Sequence, residues 1–126
     1  MAVVFAVGCG IAFIFSAVKT EIVYRAIIDS FPPQFQDPYN SRYAIHVWAL
    51  SHSTPLPLQA EYIESLWAAC VAFLCLSLCF FSLQQPIIGC VCLAVFAGCV
   101  FSTVRSWKIY KENCNRATNQ NDKEEA

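Results

Sequence analysis

Two histidines and four carboxylates are the residues of this chain best suited to chemistry: His46 and His52, flanked by Asp29, Asp37, Glu61 and Glu64. A histidine beside a carboxylate can move a proton near neutral pH, and a cluster of such groups can hold a metal ion. The spacing argues against both uses. Six positions separate His46 from His52, which does not put them on one helical face, and no cysteine or carboxylate lies close enough in sequence to complete a site. Glu61 and Glu64, three apart, share a face, but at the head of an apolar run such a pair serves to solvate a helix start. Cys90 and Cys92 form a Cys-x-Cys whose members point in different directions on a helix, and no second ligand pair accompanies them. There is no Gly-rich phosphate loop, serine nucleophile elbow or HExxH motif. The expectation is therefore no catalytic residue, no metal and no cofactor.

Composition points to the solvent these residues live in. The chain has 126 residues, of which 57% are hydrophobic and 13% charged, about half the charged share of an ordinary soluble domain. A formal net charge of −1 leaves no basic excess for phosphate backbones, so nucleic acid is not an expected partner. The lipid bilayer is. Of the eight cysteines all but Cys114 lie in apolar runs, where free cysteine packs as a small hydrophobe.

Three apolar runs, residues 2–18, 65–83 and 86–104, contain no Asp, Glu, Lys, Arg or His. At about 17 to 19 residues each they match the length of a membrane-crossing helix. The first is expected to be retained rather than cleaved, since no positive segment precedes its apolar core. Every lysine and arginine falls in residues 19–64 or 105–126, two segments that three crossings place on one side. The positive-inside rule then puts the N-terminus out and the C-terminus in the cytoplasm. Trp67, Trp107 and Tyr110 fall at the same boundary, where amphipathic rings favour the headgroup layer. Gln84 and Gln85 alone separate the second run from Pro86, so the second and third helices are expected to form a tight hairpin.

The fold class expected is thus all-α: an integral membrane domain over residues 1–104 with a cytoplasmic cap in the connector 19–64. Within that connector, KTEIVYRAIID continues the helical period of the first span, and Pro32 and Pro33 end it. Asn40 or Ser41 is placed to cap a short helix through RYAIHVWALS, and a third helical stretch starts among the prolines of TPLPLQAEY and runs into the second span. The polar, mixed-charge tail 105–126 is expected to be disordered.

Helices in lipid meet through small residues rather than through hydrophobic exclusion. Gly8, Ala12 and Ser16 recur every four residues in the first run, and Cys90, Ala94, Gly98 and Ser102 do so in the third. These are the candidate helix-packing faces, within the chain or with a partner. Tyr39, Tyr43 and Trp48 are the candidate partner surface of the cap.

The order of parts, FPPQFQDPY and PLPLQAEY between an N-terminal span and a later one, resembles small bacterial inner-membrane proteins and, more distantly, universal stress protein B. That resemblance covers roughly the first two-thirds of the chain, implies residence in the cell inner membrane, and carries over no functional residue. The expected function is a non-catalytic interaction or accessory component of a membrane complex or stress response, engaging a membrane-protein partner or a second copy. A holin-like pore is the alternative, since three spans and a charged C-terminal tail resemble one holin layout, although the long connector departs from it. A membrane-interface enzyme working through Glu61, Glu64 and the histidines is the least favoured reading.

Overall fold

The computed structural model describes all residues, 1–126, and contains helices and no strand. Helix α1 (Ala2–Ile27) passes through a single 3-10 turn, Ile28–Ser30, and a second one follows at Pro33–Phe35. Helix α2 is Pro38–Trp48, α3 is Leu56–Ser82 and α4 is Pro86–Glu125.

Three of these, α1, α3 and α4, are long and apolar enough to cross a membrane. At 1.5 Å per residue the 26 residues of α1 and the 27 of α3 extend about 40 Å, some 10 Å more than a bilayer's hydrocarbon core. Both helices therefore continue past their apolar runs. The 40 residues of α4 extend about 60 Å, twice the hydrocarbon thickness.

That length corrects the expectation of a disordered tail. No glycine or proline occurs after Gly98, so nothing in the backbone stops the helix once it has left the apolar run. A tertiary contact also holds it: Asn113 is buried and donates to Leu50 O at 3.0 Å and to Gln59 Oε1 at 2.8 Å. A second correction concerns α2, which starts earlier than Asn40 or Ser41. Pro38 occupies its first turn with Asp37 ahead of it, because proline's fixed φ suits the first helical position and its missing N–H is unneeded there. Ser41 is instead fully buried, its hydroxyl 2.7 Å from Tyr24 Oη.

Leu83, Gln84 and Gln85 join α3 to α4. Gln84 adopts a left-handed φ of 57°, and the N–H groups of Gln85 and Gln84 return to Phe80 O and Phe81 O at 3.0 and 3.1 Å. This is a Schellman closure, which satisfies carbonyls that the helix end would otherwise orphan. Beyond it the two helices approach closely. A Cβ on Gly89 would stand 3.0 Å from the Phe81 ring, and Ser77 Oγ donates to Gly89 O at 2.9 Å. Further along, Cys70 Sγ lies 3.4 Å from Thr103 Oγ1.

Both α1 and α4 lie against α3, with no comparable contact between them. Only 6%, 28% and 11% of the apolar windows of α1, α3 and α4 are buried inside the protein, so α3 is the central helix and most of the apolar surface is not covered by the chain itself. The one packed core sits instead at the polar end. There Val23 and Ile27 of α1, Phe31, Ala44, Ile45, Ala49 and Leu50 of the connector, and Tyr62 and Ile63 of α3 form a buried cluster.

Candidate functional site

The polar end gathers every candidate chemical residue except the cysteine pair, and the structure separates them. Lys19, just past the apolar run of α1, reaches between the two carboxylates of α3: it pairs with Glu61 and, at 2.9 Å, with Glu64. These hydrogen bonds hold the Lys19 ammonium above its ordinary range. Two carboxylates shared by one lysine form a charged joint between α1 and α3 in which the ammonium offsets one of the two negative charges. Two residues further on, Glu21 bridges Arg25 of its own helix (3.0 Å) and Arg42 of α2 (3.2 Å). The Arg25 hydrogen bond, reinforced by the charge of Arg42, keeps the Glu21 carboxyl below the usual carboxylate range. Arg42 also stacks on the Tyr24 ring at 4.7 Å.

The histidines go to different partners. His46 Nδ1 lies 2.5 Å from the hydroxyl of Tyr62, whose own ionisation burial pushes up to about 12, so Tyr62 is neutral at any physiological pH. His52, in the turn between α2 and α3, accepts at Nε2 from Arg116 of α4 at 2.8 Å. Asp29 and Asp37 enter no ion pair, and no three His, Cys, Asp or Glu side chains come together as a metal-binding group. Cys90 is exposed and Cys92 half-buried on α4.

Polar satisfaction is complete, since no buried side-chain nitrogen or oxygen lacks a partner. Gln59 is the centre of this. Almost fully buried, it donates to Thr54 O at 2.8 Å and Ser51 O at 3.2 Å, and its oxygen accepts from Asn113. This amide clasp, which fixes α4 to the connector, was not singled out from the sequence. One signal for it existed: Gln59 interrupts the apolar face formed by Leu56, Ile63 and Leu66, a position where an amide needs a partner.

The two small-residue series have different surroundings. Gly8, Ala12 and Ser16 are half-buried against α3, where a Cβ on Gly8 would lie 3.6 Å from Cys75 Sγ and Ser16 Oγ donates to Ser65 O at 2.8 Å. Ala94, Gly98 and Ser102 are exposed, and a Cβ on Gly98 would meet nothing within 4 Å. Of the cap aromatics, Trp48 is half-buried beside Phe31, ring centroids 6.1 Å apart. Tyr39 and Tyr43, 82% and 79% exposed, fall one turn apart on α2, and Val47, 73% exposed, continues their line.

Charge is distributed unevenly. All three cations of the connector and its flanks, Lys19, Arg25 and Arg42, are in ion pairs, whereas Arg105, Lys108 and Lys111 on the exit of α4 are in none. Lys111 has only the Trp107 ring, 5.8 Å away. Arg105 lines a groove of about 460 Å³ between α2 and α4, together with His46, Val47, Leu50, Ser102, Ser106 and Ile109. No protein family, curated protein or solved structure matches the chain.

Proposed function

We propose that this chain is a non-catalytic, multi-pass protein of the cell inner membrane that acts as an interaction or accessory component of a membrane complex or stress response. In this reading the N-terminus is outside, α3 and α4 form a tight hairpin, and the connector is a cytoplasmic cap. The observation that carries it is the outer face of α2. Its inner face is fixed by the buried Ala44 and Ile45 and by the Ser41–Tyr24 hydroxyl contact, so the helix is held in place while Tyr39, Tyr43 and Val47 stand in solvent. Exposed tyrosines on a rigid helix supply contact area at small entropic cost, the property that enriches them at interfaces.

The test is gentle detergent extraction from native membranes with a photo-crosslinking residue at position 43, followed by native mass measurement. A discrete partner protein or second copy joined through α2, and lost in Tyr39→Ala/Tyr43→Ala, supports the proposal. A strictly monomeric, partner-free species refutes it. The orientation has its own check: a membrane-impermeant thiol reagent applied to intact cells should leave Cys114 unlabelled.

A further inference from the structure

Every ligand class the α2–α4 groove could take has to satisfy one electrostatic fact: none of the side chains that line it is a carboxylate. Its lining residues come from residues 38–60 and 65–111, and neither stretch contains an aspartate or glutamate. The carboxylate nearest to the lining in sequence, Glu112, lies three residues beyond Ile109 and forms no ion pair with Arg105, Lys108 or Lys111, and Glu61 and Glu64 are both taken up by Lys19. Arg105 therefore presents a guanidinium with no internal counter-ion, at the position where the apolar run of α4 has just ended. Serine hydroxyls flank it: Ser102, Arg105 and Ser106 fall at three- and four-residue spacing on one face of the helix.

Arginine's planar fork matches the non-bridging oxygens of a phosphate, and hydroxyl donors complete such a site. Val47, Leu50 and Ile109 make the rest of the wall apolar. Towards the membrane interior the same helix offers Gly98 and Ala94, both exposed, with open space where a Gly98 side chain would be. A cationic, hydroxyl-bearing groove where the apolar run ends, continued into that run by small exposed residues that leave room beside the helix, suits the phosphate and one acyl chain of a phospholipid.

We propose that this groove is a binding site for one anionic phospholipid, whose phosphate is held by Arg105, Ser102 and Ser106 and one of whose acyl chains lies along Gly98 and Ala94. The His46 ring stands at the polar edge, its Nδ1 occupied by Tyr62. Lys108, one turn beyond Arg105 and also unpaired, adds to the local positive potential that selects an anionic headgroup over a zwitterionic one.

The full chain, purified in a mild detergent, is titrated with dioleoyl-phosphatidylglycerol, dioleoyl-phosphatidylcholine or inorganic phosphate and read by native mass spectrometry. The expected result is one retained phosphatidylglycerol per chain, held about tenfold more tightly than phosphatidylcholine. Arg105→Gln should abolish that preference, and Lys123→Gln, the same loss of charge on the distal part of α4, should leave it intact. Ser102→Leu places a bulky side chain in the groove at an exposed position and should reduce retention of both lipids, which keeps the site testable if Arg105→Gln does not fold. Equal retention of the two lipids, or an undiminished preference in Arg105→Gln, overturns the proposal. So does displacement of phosphatidylglycerol by millimolar inorganic phosphate, since that would make the site one for a free anion.

Discussion

The cations of the connector and those of the first turns of α4 past its apolar run, Arg105, Lys108 and Lys111, belong to one small protein and are used in opposite ways. Lys19, Arg25 and Arg42 are all spent inside the molecule, holding α1 to α3 and α2 to α1 through Glu61, Glu64 and Glu21. Arg105, Lys108 and Lys111 form no ion pair, and the exit of α4 is held by neutral groups instead: Thr103 against Cys70, and Asn113 against Gln59 and Leu50. The difference teaches that position in a positively charged segment does not say what a cation does. Where a carboxylate reaches the cation the charge becomes part of the fold, and where none does, as at Arg105, it stays unpaired.

The largest effect should come from breaking the neutral attachment. Asn113→Leu removes both donors and leaves Leu50 O and Gln59 Oε1 buried without a partner, a loss of about 1–3 kcal/mol for such groups. The expected readout is earlier thermal unfolding together with faster proteolysis of the tail, and an unchanged melting curve would show that α4 needs no clasp.

Removing charge from the connector should come next. Lys19→Met leaves Glu61 and Glu64 adjacent and unneutralised, so the variant should be destabilised, and Glu61→Gln/Glu64→Gln in the same chain should restore much of the loss. Failure of the double substitution to rescue would mean that the lysine acts through its stem and not its charge. Acid sharpens the same contrast. Glu21 has a folded-state pKa below its ordinary 4.5, so the stability it contributes is fully present above that value and is lost as pH falls through the depressed one. Arg42→Gln should reduce that acid dependence, whereas Arg105→Gln should not alter it.

The unpaired cations supply the counterpart. Arg105→Gln and Lys108→Gln should each shift stability by no more than about 0.5 kcal/mol, the usual range for exposed positions without a partner. Any larger loss would reveal an internal role for these charges. The smallest effect concerns neither region. Gln84 holds a left-handed backbone that favours glycine, so Gln84→Gly should stabilise by a few tenths of a kcal/mol, the relief of strain being offset by the greater freedom of an unfolded glycine.

Much of the architecture was legible beforehand because it follows from length and polarity. Three charge-free runs give three helices long and apolar enough to cross a membrane, and Pro32, Pro33 and Pro86 mark where one helical stretch stops and another begins. The tail was misread for an equally physical reason. Composition sees residues 105–126 as polar and therefore solvated, but a helix already formed over the apolar run adds a hydrogen bond with each further residue and pays no second nucleation cost. The candidate faces were harder. Both small-residue series have the same spacing, and nothing in either tells that Gly8, Ala12 and Ser16 lie against α3 while Ala94, Gly98 and Ser102 lie open. Among the aromatics, Trp48 turns inward to Phe31 and Tyr39 and Tyr43 do not, a division set by which face of α2 meets the core.

The sequence by itself determined that this protein is helical, that three of its helices are suited to lipid, and where its polar groups collect, because apolar length, proline and charge act locally. Only the tertiary structure decided which charges are consumed. Pairing depends on distances between α1, α2 and α3 that no spacing along the chain encodes, and so do the burial of Gln59 and Asn113 and the groove that leaves Arg105 without a counter-ion.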